Sequence, residues 1–89
     1  MNVAELSHLS LLELIAMARQ QATIDDDTFW LLSGYLSGRA MEFSSVVGNL
    51  SELVRAILEA GHQWDKHGTL LLLDELEKRT RAATNRRLQ

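Results

Sequence analysis

Three residues supply metal-ligand chemistry close together: His62, Asp65 and His67 bring two imidazoles and a carboxylate into one short stretch. Such a set suits zinc in principle. The spacing matches no established zinc pattern, however, and a histidine near a helix C-terminus is favoured by the helix dipole alone. No metal and no cofactor is therefore expected. Asp74 and Glu75 are adjacent carboxylates, but neighbours in a helix point in different directions, so solvated helix surface is the expected role rather than paired acid–base work. Gly34 and Gly38 fall within a helical period and do not form a phosphate-binding loop. With no cysteine, no Gly-x-Ser-x-Gly elbow and no nucleophile–base pairing in sight, no catalytic residue is predicted and the chain reads as non-enzymatic.

The remaining polar signals concern partners. Residues 1–77 hold four cations (Arg19, Arg39, Arg55, Lys66) and all twelve acids; residues 78–89 hold Lys78, Arg79, Arg81, Arg86 and Arg87 and no acid. An acidic body followed by a basic tail is the main electrostatic feature. Those five cations form the one nucleic-acid signal, and binding through them would depend strongly on salt. The acidic body would oppose it, and no aromatic residue interleaves the cations for stacking. Lys and Arg at a helix C-terminus also complement the helix dipole. Nucleic-acid binding is the alternative reading, not the first.

The elements that must carry these residues are helices. Phe29, Leu32, Leu36, Arg39, Phe43, Val46, Leu50, Leu53, Ile57 and Ala60 alternate spacings of three and four, the pattern of an apolar helical seam that only Arg39 interrupts. Asp25, Asp26 and Asp27 offer N-caps. The pattern predicts one central helix over about 28–60, which at about 1.5 Å per residue spans about 50 Å. Gly48 and the Asn49/Glu52 pair, which has capping-box spacing, mark the alternative, a break near 48.

Arg39 reads either as a side chain snorkelling to the seam edge, pairing with Glu42 or Glu13, or as an anchor for a partner helix. Trp30, Tyr35 and Met41 lie off the seam, as a second packing surface or as an aromatic patch for a partner. Gly34, Gly38 and Gly48, with Ser33, Ser37, Ser44 and Ser45, form a strip of small residues. Three glycines in a helix cost about 1 kcal/mol each, so the strip predicts the close approach of another helix, first of all one from the same chain.

A first helix is expected over about 3–22, with Leu11, Ile15, Ala18 and Ala22 on its inner face and two capping-box spacings, Asn2/Glu5 and Ser10/Glu13, near its start. Gly61 reads as a C-cap, 61–68 as a loop with Trp64 folded back over the core, and Thr69 as the cap of a last helix to about Asn85 whose end projects or frays. Thr69, Leu73, Leu76, Thr80, Ala83 and Arg87 form its seam.

The whole is expected to be a single all-α domain over 1–89: a small antiparallel bundle of three to four helices with a long central one, and with self-association into a homodimer. There is neither cysteine nor proline. The lack of cysteine fits a reducing compartment, and no stretch reaches the roughly 20 apolar residues of a membrane span. The expected role is a cytoplasmic protein–protein interaction module, an adaptor, inhibitor or chaperone-like regulator, contacting its partner through Trp30, Gly34, Tyr35, Gly38, Arg39 and Met41.

Overall fold

A computed structural model describes residues 3–47 and 50–88, with side chains over 4–43 and 50–83. The described backbone is helical with no strand: α1 (Val3–Leu6), α2 (Leu11–Gln21), α3 (Asp26–Val47), α4 (Ser51–His62) and α5 (Lys66–Leu88). Helix α2 packs on α3, α3 on α4, α4 on α5, and α5 returns to α2.

The first helix divides because Ser10 caps a new start. Its hydroxyl accepts from the Glu13 amide at 3.2 Å, and the Glu13 carboxylate accepts from the Ser10 amide at 3.1 Å. Of the two capping boxes legible in the sequence, this one forms. It sets Leu11, Leu14, Ile15 and Ala18 on the inner face, all buried.

The 28–60 stretch is not one helix. It ends as α3 at Val47 and resumes as α4 at Ser51, with Leu50 as N-cap, one residue later than the Asn49/Glu52 box implies. Gly48 and Asn49 lie outside the described residues. Size explains the break. A helix of about 50 Å exceeds the 38 Å longest extent of the molecule, and α2, at about 17 Å, would leave most of its seam in water. Packing α4 against α3 buries apolar stripes of both helices.

The buried row on α3 also drifts from the predicted seam. Phe29, Leu32 and Leu36 are fully buried, but the next inward position is Ala40, not Arg39, which is half-buried at the edge. A strict 3.5-residue repeat slips about 20° per heptad on a straight helix. The in-phase continuation across the break is carried by α4's own stripe of Leu53, Val54 and Ile57, with Leu50 ahead of it.

Asp25 starts α3, accepting from the Asp27 amide at 3.1 Å and the Thr28 hydroxyl at 2.8 Å. Asp65, not Thr69, starts α5: its carboxylate accepts from the Gly68 amide at 2.9 Å. A side chain at Gly68 would collide with that carboxylate. Thr69 is buried one turn in, its hydroxyl donating to the Asp65 carbonyl at 2.8 Å, and Thr80 does the same to Leu76 at 2.8 Å. Both polar seam positions are thus satisfied within their own helix. The loop shrinks to residues 63–65, and the helix continues to Leu88, past the predicted end at Asn85.

Lys66 ties one end together, donating from Nζ to the Ala22 carbonyl at 2.9 Å and pairing with Asp26. Arg19 links α2 to α5 through Glu77, at 2.6 Å, and Asp74. Among the described residues no helix is long and apolar enough to cross a membrane.

Candidate interaction groove

Where α3 and α4 meet on the outside, their side chains leave a cleft of about 250 Å³. Trp30, Ser33, Gly34 and Ser37 line it from α3; Ile57, Leu58, Gly61 and His62 line it from α4; Trp64 closes one end.

The cleft exists because the small-residue strip has two edges. Successive residues rotate by about 100°, so Ser33 and Ser37 turn inward and are buried, whereas Gly34 and Gly38 turn outward and are exposed. A Cβ at either glycine meets nothing within 4 Å. The close helix approach expected at these glycines is therefore absent among the described residues, and their propensity cost is not offset by packing within the chain. Of the rest of the strip, Ser44 and Ser45 have side chains outside the described set, and Gly48 lies outside the described residues.

The two buried serines differ. The Ser37 hydroxyl donates to the Ser33 carbonyl at 2.7 Å. Ser33 is 5 % exposed, and its Oγ has no hydrogen-bond partner among the described residues. A buried hydroxyl left unpaired costs about 1–3 kcal/mol.

Trp64 sits in an unusual backbone position. Its φ is 55°, the left-handed conformation that glycine adopts at helix C-termini. Its amide donates to the Gly61 carbonyl at 3.1 Å and the Asp65 amide to the Ala60 carbonyl at 2.9 Å. This pair of bonds is a Schellman motif, with tryptophan where glycine is usual. Gly61, read as the cap, is instead helical. Trp64 does not fold over the core: it is 72 % exposed and meets Trp30 edge-on, with centroids 5.3 Å apart and planes at 82°. The Trp30 ring lies beside α4 at Gly61, where a Cβ would meet it at 3.8 Å in ordinary van der Waals contact.

The predicted contact residues separate. Trp30 and Gly34 line the cleft, Gly38 stands exposed beside it, and Met41, three turns on from Trp30, is half exposed on the same side of α3. Tyr35 and Arg39 are half-buried and lie on a different face, well over 90° around the helix from Trp30. Glu13, one expected partner of Arg39, is occupied in the Ser10 capping box. Ser33, Leu58 and Trp64 were not predicted as contact residues. The signal for Trp64 was its place three residues after Gly61, but sequence alone does not show which residue takes the left-handed position.

The basic tail is partly neutralised by the turn before it. Arg79 pairs with Glu75 at 3.1 Å and Arg81 with Glu77 at 3.4 Å. Lys78 is exposed and lines a shallow second cleft with Arg19, Asp74, Glu77 and Arg81. The side chains of Arg86 and Arg87 lie outside the described set.

Three carboxylates are held below their ordinary range: Glu77 by the Arg19 guanidinium, Glu13 by the Ser10 amide, and Asp25 by the Thr28 hydroxyl. All three stabilise helix ends or a helix pair. His62, Asp65 and His67 do not assemble: Asp65 is an N-cap, and among the described residues no group of three His, Cys, Asp or Glu side chains converges to hold a metal.

Comparison with family models, with curated proteins and with solved structures yields no match for this chain.

Proposed function

We propose that this protein is a small, non-enzymatic, cytoplasmic interaction module that engages a protein partner through the α3–α4 face. One observation carries the reading: Trp64 is held in a left-handed backbone position with most of its ring exposed, at the end of an apolar cleft. Such a residue contributes little to the core while costing backbone energy, a combination that concentrates at binding sites. Tryptophan in a cleft lined by Leu58, with Met41 half exposed farther along the same side of α3, matches the composition of interface anchors. The open faces of Gly34 and Gly38 give a partner helix room for close contact. The reading treats α2–α5 as an antiparallel bundle, which the short connections at 22–25 and 63–65 favour, and keeps a homodimer as one form of the partner.

Comparative capture from a cytosolic extract tests it, with nuclease treatment, at about 0.15 M and about 0.5 M salt. The wild-type chain is expected to retain a discrete protein at both salts. Leu58→Arg with Trp64→Ser is expected to lose it, and replacing Lys78, Arg79, Arg81, Arg86 and Arg87 by Gln is expected to keep it. The reverse pattern, with loss on nuclease treatment, would establish the nucleic-acid reading instead. Light scattering of the two variants separates self-association from a foreign partner.

A further inference from the structure

We propose that the outer face of α4 pairs with the same face of a second copy of this chain, antiparallel about a two-fold axis beside Ile57. The proposal rests on the partner reading, which gives Leu58 to an interface, and it names the partner. Leu53, Val54 and Ile57 turn α4 into the core, where it packs on α3 and α5. The opposite side is left to Glu52, Arg55, Leu58, Glu59 and His62, all of them exposed. At about 100° per residue these five share about 120° of arc. Leu58, near the middle of the row, is 51 % exposed.

Charge decides the occupant. Along α4 this face reads acid, cation, leucine, acid, imidazole. Two such helices laid antiparallel about Ile57 set Arg55 level with Glu59 of the second copy, and Glu52 level with His62 of the second copy. Symmetry makes each pairing occur twice. Leu58 lies one residue from the axis, so its two copies meet at the centre. A parallel pairing instead sets Arg55 on Arg55 and Glu59 on Glu59, like charge on like. The antiparallel order also brings opposite ends of the two helix dipoles together. The side chains are available for it. Glu52, Arg55 and His62 form no ion pair among the described residues, although Glu52 and Glu59 lie three residues before and four after Arg55. Glu59 accepts from the Gln63 side chain at 3.3 Å. By contrast Arg19, Lys66, Arg79 and Arg81 are already paired within the chain.

Sedimentation equilibrium of the full chain, at about 0.05 M and about 0.5 M salt, tests the pairing. A contact along about 18 Å of helix stays below about 1,200 Å², the range of weak and transient interfaces. A Kd on the order of 0.1 mM is therefore expected at low salt, rising about tenfold at high salt as the exposed pairs are screened. Arg55→Glu and Glu59→Arg each set like charges together and should each leave a monomer to about 0.5 mM, as should Leu58→Asp at the centre. The double variant Arg55→Glu with Glu59→Arg restores opposite signs and should dimerise as the wild type does. An equimolar mixture of the two single reversals should form a one-to-one dimer. A strict monomer to about 0.5 mM at low salt would overturn the proposal, as would a dimer indifferent to the single reversals or a double reversal that stays monomeric. A monomer that still captures a discrete protein from extract keeps the partner reading and gives the face to a foreign chain. A dimer that follows the charge swap, in a chain that captures nothing else, fixes the second copy as the occupant.

Discussion

Single residues on the cleft show where this chain departs from its own best stability. Gly34 and Gly38 face open space in the middle of α3, so Gly34→Ala and Gly38→Ala should each raise the unfolding free energy by about 0.5–1 kcal/mol in urea titrations. A loss of stability would mean that the helix face is covered after all. Trp64 gives a paired test. Trp64→Gly and Trp64→Ala both remove the edge contact with Trp30, but only glycine is at ease at a φ of 55°. The glycine variant should therefore be the more stable of the two by about 1 kcal/mol. Equal stabilities would show that the left-handed position carries no strain.

At the scale of elements, the α2–α5 contact is the ionic one, and its pH dependence has a definite sign. Arg19 holds the Glu77 carboxyl below its ordinary value of 4.5. A carboxyl depressed in the folded state contributes stability that is fully present above about 4.5 and is lost as pH falls through its folded value. Glu13 and Asp25, lowered by cap hydrogen bonds, act in the same direction. Stability should thus fall on acidification below about pH 4.5, and Arg19→Met should make that fall shallower while leaving the contribution of the two caps. A slope unchanged by Arg19→Met would assign the whole acid effect to the helix starts. The caps also explain which boundaries were legible. Asp25 was legible as one of three adjacent acceptors ahead of an apolar period, and Ser10 as one of two capping-box spacings, so the sequence marked the neighbourhood of each start and the fold selected the residue. Thr69 misled because it too is a good cap, yet Asp65 lies four residues earlier and already accepts from Gly68.

The whole molecule depends on one core, with Leu36 fully buried on α3. Leu36→Ala should cost about 2–5 kcal/mol. A domain of this size has a total of roughly 4–13 kcal/mol, so the variant should melt far lower in calorimetry or not fold at all; a cost below 1 kcal/mol would mean that the site collapses around the smaller side chain. Compactness is also what broke the central helix. The radius of gyration of 12.5 Å is near the roughly 12 Å expected for a compact chain of this length, and a rod of about 50 Å is incompatible with it.

Local patterning determined a good deal by itself. Helical class, the inner faces of α2 and α5, and the short sets of candidate starts that include Ser10 and Asp25 follow from apolar period and capping chemistry, which act within one or two turns, and no strand occurs among the described residues. Tertiary packing decided the rest. A break between two apolar stripes that happen to share a phase cannot be seen from the stripes themselves; it arises because burying one stripe on the other removes more apolar surface from water than extending both into solvent. The same packing turned Ala40 inward instead of Arg39, sent the glycine edge of the small-residue strip outward, and placed Trp64 beside Trp30 from the far end of another helix. The candidate site lies between two elements that the sequence reads as one, so only folding could assemble it.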